Sequence, residues 1–440
     1  MGDRSTRDEA IRVIETFNNL PVDQKMGIFR NLSPAAREEL LGTVARPQEI
    51  MRLVSEEQVF FDVKELGEDQ APNIIALTTG RQLQYILDLD LWKKDMFDQE
   101  SAGRWLEILS RVGRHKLLQF VQTTDPELLV TALQHLLRIK ARNPDIDLLE
   151  EIDILPSFSL DDTFFIEFLV PRWEDSLRLF LETVFEWNTQ YYFTLMNELA
   201  WGVQSENQEQ ANKWRRSRLA DRGFPEFEEA LDIYRYMQRS GISGHELEPA
   251  GLKEDQGSPE PYLGYPLKVV FQDNLFKRSI DEISDSSEKD RLSVELAHVA
   301  NKVMVADARD PGSIEELRTS LKKVAGYINM ALEDLCGEDT CQAADLLRSN
   351  HMEVLFRRGF SLILDLRRDA QKFIRDRDGG IENLGYPLAG FLDALIQKRP
   401  VFASHLLGNA QPRQFESLGD ISQIRTMMEN AATQETWEPI

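Results

Sequence analysis

The feature that most constrains this chain is its punctuation. Leu20-Pro21 opens one short apolar-periodic segment, and Leu32-Ser33-Pro34 opens the next. Proline is well tolerated at the first position of a helix, so each of these steps reads as a helix start. A helix this short does not recover its nucleation cost in water. It has to lean on a neighbour, and rows of short helices that lean on one another make superhelical arrays. The spacing therefore speaks to architecture and says little about chemistry.

The pattern runs on from there. Residues 5–20 place Ala10, Ile11, Val13, Ile14 and Phe17 at helical intervals, and 22–31 place Met26, Ile28 and Phe29 so. Ser33 is an N-cap with Pro34 behind it, ahead of Leu40, Leu41 and Val44. Residues 54–66 form a fourth helix that Gly67 ends. Thr79 caps 81–87, Asp98 caps a helix carrying Trp105, Leu106, Ile108 and Leu109, and Gly113 breaks it before 115–121. Asp125-Pro126 then opens a helix with Leu128, Leu129, Ala132, Leu133, Leu136 and Leu137 in register, stopped by Asn143-Pro144.

The middle changes character. Residues 163–170 are β-branched and aromatic, and Ser159-Leu160-Asp161-Asp162 before them reads as a turn. A β-hairpin is expected with 152–158 as its other arm. Pro171 starts a long helix, followed by helices over 191–201, 206–220 and 227–238. Residues 241–264 are rich in Gly, Pro, Ser and charge and read as a linker or lid. Helices then cover 288–308, a capping-box helix from Ser313 to Leu335, a long helix over 339–375 that kinks near Gly359, 388–396 and 418–428. The expected fold is mainly α: helical repeats over 1–145, a hairpin with helices over 146–240, a linker over 241–264, and a helical bundle over 265–440.

Composition narrows the function. Acidic residues outnumber basic ones 75 to 51, for a net charge of -24. A field of that sign repels nucleic acid and anionic membranes, and suits basic proteins, divalent cations or plain solubility. No stretch approaches the ~20 apolar residues of a membrane span. The opening Met1-Gly2-Asp3-Arg4-Ser5-Thr6 lacks the apolar core of a signal peptide, although Gly2 with Thr6 fits the short myristoylation pattern. The two cysteines, Cys336 and Cys341, flank a loop at Gly337 and read as ordinary thiols. The expectation is a soluble cytoplasmic protein that needs no cofactor.

Several constellations bear weighing. Trp214, Arg215, Arg218 and Arg222 form a basic island, with the three arginines at spacings of three and four on one helical face. Three guanidinium forks there hold a phosphate or carboxylate, or else pair with Asp221, Glu226, Glu228 and Glu229. Glu295-Leu296-Ala297-His298 matches the Glu-x-x-His element of di-iron bundles, but no second copy exists. Asp88-x-Asp90 and Asp376-x-Asp378 begin like calcium loops and lack the closing acid. Nucleophile-elbow, phosphate-loop and dinucleotide motifs are absent. The aromatic group Trp173, Phe180, Phe185, Trp187, Tyr191, Tyr192, Phe193 and Trp201 is either a ligand pocket or a core.

Two resemblances follow from these residues. The Leu-Pro and Asp-Pro helix starts with paired leucines, over 20–44 and 105–137, resemble the superhelical domains of MgtE-type magnesium transporters and of the flagellar motor switch protein. That resemblance implies metal sensing or partner docking and assigns no residue. The stretch from Asp161-Asp162-x-Phe164-Phe165-Ile166-Glu167-Phe168 to Trp214-Arg215-Arg216-x-Arg218 and Arg222-Gly223-Phe224-Pro225 resembles an uncharacterised bacterial family, a domain of unknown function. It implies no activity. The expected role is a non-enzymatic scaffold or regulator that binds a protein partner. An anion-binding sensor or enzyme on the arginine face, and a divalent-metal sensor, stand as alternatives.

Overall fold

A computed structural model describes residues 12, 14–143, 145, 155–238, 262–269, 273–377, 379–408 and 411–435. It is 72% helical, and among the described residues the strands form two small sheets of two and three strands. The fold is mainly α. By contacts it divides into two compact units. One holds the described residues up to Asp221 together with Tyr262 and Leu263, and the other holds the remainder from Arg222 on. This division falls inside the 146–240 segment of the sequence reading.

Unit 1 opens as the punctuation dictates. Helices α1 (Val22–Asn31), α2 (Pro34–Thr43), α3 (Pro47–Met51), α4 (Glu56–Leu66), α5 (Pro72–Leu77) and α6 (Gly80–Asp90) are all short, and three of them begin at proline. Ser33, Ser55 and Thr79 cap α2, α4 and α6 through their hydroxyls, and Thr79 with Gln82 closes a full capping box. Gly67 ends α4 at φ 86°, a conformation that suits glycine. The core face of α1 is Met26 and Phe29, whereas Ile28 is exposed.

Helices α7 (Gln99–Val112), α8 (Arg114–Thr123) and α9 (Pro126–Leu136) follow, then α10 (Glu174–Trp187), α11 (Thr189–Trp201) and α12 (Gln204–Ala220). Helix α6 packs on α4, α8 on α10 and α9 on α12. The aromatic group resolves into core and surface. Trp173, Phe180 and Tyr192 are buried, while Trp187 and Trp201 are exposed.

The sheets correct the sequence reading. Strands β1 (Trp92–Lys93) and β2 (Met96–Phe97) make a hairpin that no pattern announced. The expected hairpin is a three-stranded antiparallel sheet, with β5 (Phe164–Phe168) between β3 (Leu137–Ala141) and β4 (Phe158–Ser159). Leu137 therefore belongs to a strand and not to the helix before it. Its alternation with Ile139 suits a pleated pairing against Phe168 and Ile166. Residues 152–154 of the expected arm lie outside the described residues.

Unit 2 contains α13 (Phe227–Ala230), α14 (Tyr265–Val269), α15 (Leu275–Glu282), α16 (Ser286–Ala306), α17 (Ile314–Cys336), α18 (Thr340–Ser349), α19 (Met352–Arg375), α20 (Leu388–Ile396) and α21 (Leu418–Glu435). Helices α16, α17 and α19 pack together at its centre, with α20 and α21 on α19. Two expectations are corrected here. The helix expected over 227–238 stops at Ala230, passes through a 3-10 turn over 231–234 and becomes extended. The long helix expected over 339–375 is two helices broken at Asn350-His351, and α19 then runs unbroken through Gly359. Gly359 is needed because a Cβ there would sit 1.8 Å from the Tyr327 carbonyl oxygen of α17. Of the 241–264 linker, 241–261 lies outside the described residues.

Candidate functional site

Helix α12 is polar around most of its surface. Its buried residues are Ala211, Arg215 and Leu219, a stripe at i, i+4 and i+8. Arg215 is thus a core position on this helix. Its Nε donates to the Asp88 carbonyl at 2.6 Å and its guanidinium lies over the Trp92 ring at 5.5 Å. Asp88 sits in the last turn of α6, where carbonyls lack helical partners and a cation is favourable.

Arg218 grips the side chain of the same residue. Its Nε and Nη2 donate to the two Asp88 carboxylate oxygens, each at 2.7 Å, and its Nη1 donates to Asp125, the residue that precedes α9. Gln84 donates to Asp88 as well, at 2.9 Å. Burial pushes the Asp88 carboxyl up from its ordinary value, against the opposing pull of Arg218. Arg216 donates to Asp95 in the β1–β2 turn at 2.8 Å.

Arg216 and Arg218 therefore face acids far off in sequence, and Arg215 faces a main-chain carbonyl. They fasten α12 to the end of α6, to the first hairpin and to the start of α9. An incoming anion would compete with two aspartates for Arg218. Arg222 does not continue the stripe, because α12 ends at Ala220 and Arg222 belongs to unit 2. There its carbonyl accepts from Asn301 at 2.9 Å, beside Gly223 at φ 82°. Trp214 is half-exposed on α12.

The lone Glu-x-x-His element does not converge. Glu295 accepts from Arg291 and from the Met352 amide at 3.0 Å, at the start of α19. His298 packs instead under Gly223, and burial together with Arg222 lowers its affinity for a proton. Among the described residues, no three His, Cys, Asp or Glu side chains are grouped so as to hold a metal ion.

A polar centre that sequence reading missed lies in unit 2. Lys323 of α17 donates to the Tyr234 hydroxyl at 2.7 Å and to Asp307 at 2.6 Å. Tyr234 donates to Asp307 at 2.8 Å, and Arg399 reaches the same carboxylate at 3.0 Å while covering the Tyr234 ring. Four residues far apart in sequence meet here, and no local motif marks them. The Tyr234 hydroxyl is held well above its ordinary pKa by burial and by Asp307. A phenol that serves as a base or nucleophile needs the opposite shift. The cluster ties the 231–234 turn to α16 and α17.

Unit 1 also encloses an apolar void of about 20 Å³, lined by residues including Leu87, Leu91, Trp105, Leu109, Leu129 and Leu133. That is room for one water and offers it no partner, so the void is a packing feature.

A family model matches residues 14–437, which is nearly the whole chain and takes in both units. The chain belongs to DUF6178, a family of unknown function. No curated protein and no solved structure matches it. The DUF6178 match includes the arginine helix, the three-stranded sheet and the Tyr234 cluster alike. No helix among the described residues is long and apolar enough to cross a membrane.

The surface of unit 1 carries several large apolar side chains. Trp201 is 72% exposed at the end of α11, and Val203 beside it is also exposed. Met96 is 67% exposed in β2, and Trp214 is half-exposed on α12. Met96 and Trp214 each adjoin in the chain the Arg216–Asp95 and Arg215–Lys94 contacts that hold the hairpin to the helix.

Proposed function

We propose that this protein is a non-enzymatic cytoplasmic scaffold or regulator, and that it docks a protein partner on the helical surface of unit 1. The observation that carries the reading is the exposure of Trp201 and Trp214, together with that of Val203 and Met96. Tryptophan is the residue most enriched among the anchors of protein interfaces, and its large apolar face is unfavourable in water unless something covers it. The short-helix architecture supports the reading, since rows of such helices present long surfaces for partners. The charge of -24 argues against nucleic acid as the partner and favours a protein with a basic rim. The arginine helix supports it indirectly, because its guanidinium groups are already engaged by Asp88, Asp95 and Asp125.

The test compares the wild-type chain with a Trp201→Ser/Trp214→Ser variant as baits in native lysate. A partner retained stoichiometrically by the first should be lost from the second. The purified partner should then bind the variant at least tenfold more weakly in calorimetry. A wild-type bait that holds nothing stoichiometric, or a partner indifferent to both substitutions, removes the reading.

A further inference from the structure

Two residues of unit 1 come from far along the chain. Tyr262 and Leu263 return to it more than forty positions after Asp221, and Gly264 already belongs to unit 2. Both are buried, Tyr262 at 4% exposure and Leu263 at 3%. Tyr262 lies alongside Val54 as an added parallel strand of one residue. Its amide donates to the Leu53 carbonyl at 2.7 Å, and its carbonyl accepts from the Ser55 amide at 3.0 Å. These two bonds hold an extended residue against the connection between α3 and α4.

The side chain enters a built pocket. The Tyr262 ring lies under Arg30 at 5.0 Å and Arg37 at 5.3 Å. Its hydroxyl donates to the Arg30 carbonyl at 3.1 Å and accepts from Arg37 Nη2 at 3.0 Å. Arg37 is itself fully buried and does not depend on the tyrosine for its position. Its Nη1 donates to both oxygens of Asp62, at 3.0 and 2.8 Å, and its Nε donates to the Phe29 carbonyl at 3.1 Å. Gln58 fixes Asp62 in turn at 2.8 Å. The site is pre-organised by α1, α2 and α4. Taking Tyr262 away frees only the Leu53 carbonyl, the Ser55 amide and one Arg37 donor, since the Arg30 carbonyl still accepts from Arg37 Nη2 at 3.2 Å.

The geometry points to a recognition site on unit 1 for an extended, tyrosine-bearing peptide, of which Tyr262–Leu263 is the occupant in cis. The site has three parts: main-chain partners at Leu53 and Ser55, a cation-flanked slot for the ring, and a paired acceptor and donor for the phenol. It is separate from the tryptophan surface, so either proposal can fail alone. Occupation in cis is intramolecular, so a free peptide has to compete with it.

The probe is a fluorescein-labelled peptide of residues 258–266, titrated by anisotropy against the full-length wild-type and Tyr262→Ala chains. The peptide should bind the variant saturably and at least tenfold more tightly than the wild type. A peptide with the tyrosine replaced by alanine should lose that binding. Tyr262→Phe, which keeps the ring and loses only the hydroxyl's two bonds, should admit the peptide to an intermediate degree. Equal binding to wild type and Tyr262→Ala, or none to either, overturns the proposal. So does loss of helical circular dichroism in Tyr262→Ala, since a ligand leaves its receptor folded.

Discussion

Gly359 offers the sharpest test of how unit 2 is held together. It lies in the first half of α19, where that helix meets α17 at Tyr327. A Cβ at this point would stand 1.8 Å from the Tyr327 carbonyl oxygen, 2.6 Å from its carbon and 3.0 Å from its Cα. Atoms of real side chains do not approach below 3.0 Å, and the obstacle is backbone, which has no rotamer to escape into. In Gly359→Ala the two helices must part by roughly 1 Å, and a gap of that size forfeits a quarter to a half of each dispersion contact across it. The contacts at risk include Tyr327 against Phe356 and Phe360, at ring separations of 5.3 and 5.6 Å. Overpacking of a core ordinarily costs about 1–3 kcal/mol, and a backbone clash between two central helices belongs at the top of that range, about 3 kcal/mol. For a unit of this size the midpoint of thermal unfolding should fall by roughly 6–12 °C. The assay is calorimetry with urea titration, reading the transition assigned to unit 2, because a chain of two units need not unfold in one step. Gly27→Ala is the control. Gly27 is exposed in α1 with nothing within 4 Å of its built Cβ, so there the same substitution should stabilise by about 0.5–1 kcal/mol through helix propensity. A Gly359→Ala chain within 0.5 kcal/mol of wild type would refute the close-approach argument.

Three further outcomes follow from other sites. Asp88→Asn should destabilise unit 1 by about 2–3 kcal/mol, less than a fully buried pair because Arg218 is part-exposed, and urea melts measure it. Arg37→Met alone should cost about 3–5 kcal/mol by stranding the buried Asp62 charge, while Arg37→Met with Asp62→Leu should recover most of the loss; additive effects in that double-mutant cycle would contradict the coupling. Lys116 is fully buried, its Nζ held by Thr78 and Gln119 with no carboxylate partner among the described residues, and burial lowers its pKa to about 8 from 10.5. Between those values the unfolded chain keeps a proton the folded chain has lost, so stability rises with pH across that window. The stability of wild type relative to Lys116→Met should therefore increase from pH 7 to pH 10.5, by at most about 3 kcal/mol since the acceptors around Nζ favour the charged form, and a flat difference would show that Lys116 keeps its ordinary affinity.

Much of the local structure was legible in the sequence. Ser33 and Thr79 cap where their hydroxyls predict, and Pro34 and Pro126 start helices, because caps and proline act within one turn of chain and need no partner. Helices with a clear apolar stripe, such as α7, declared themselves for the same reason. Leu137 did not, since it continues the helical spacing of Leu133 and Leu136, and only the pairing of β3 with β5 makes it a strand. Asn350-His351 likewise carries no breaker, and the break there separates α18, which packs on α15 and α17, from α19, which packs on α16 and α17. Gly359 looked like a kink and is a point of contact, a distinction that exists only when α17 is present. Of the basic island, sequence found the residues but not their partners. Arg218 meets Asp88 across 130 positions, and Tyr262 meets Arg37 across 225. Short-range chemistry fixed which segments are helices and where they begin. Which charges, rings and edges come together was decided by tertiary packing alone, because burial, and the partner that makes burial tolerable, are properties of the assembled chain.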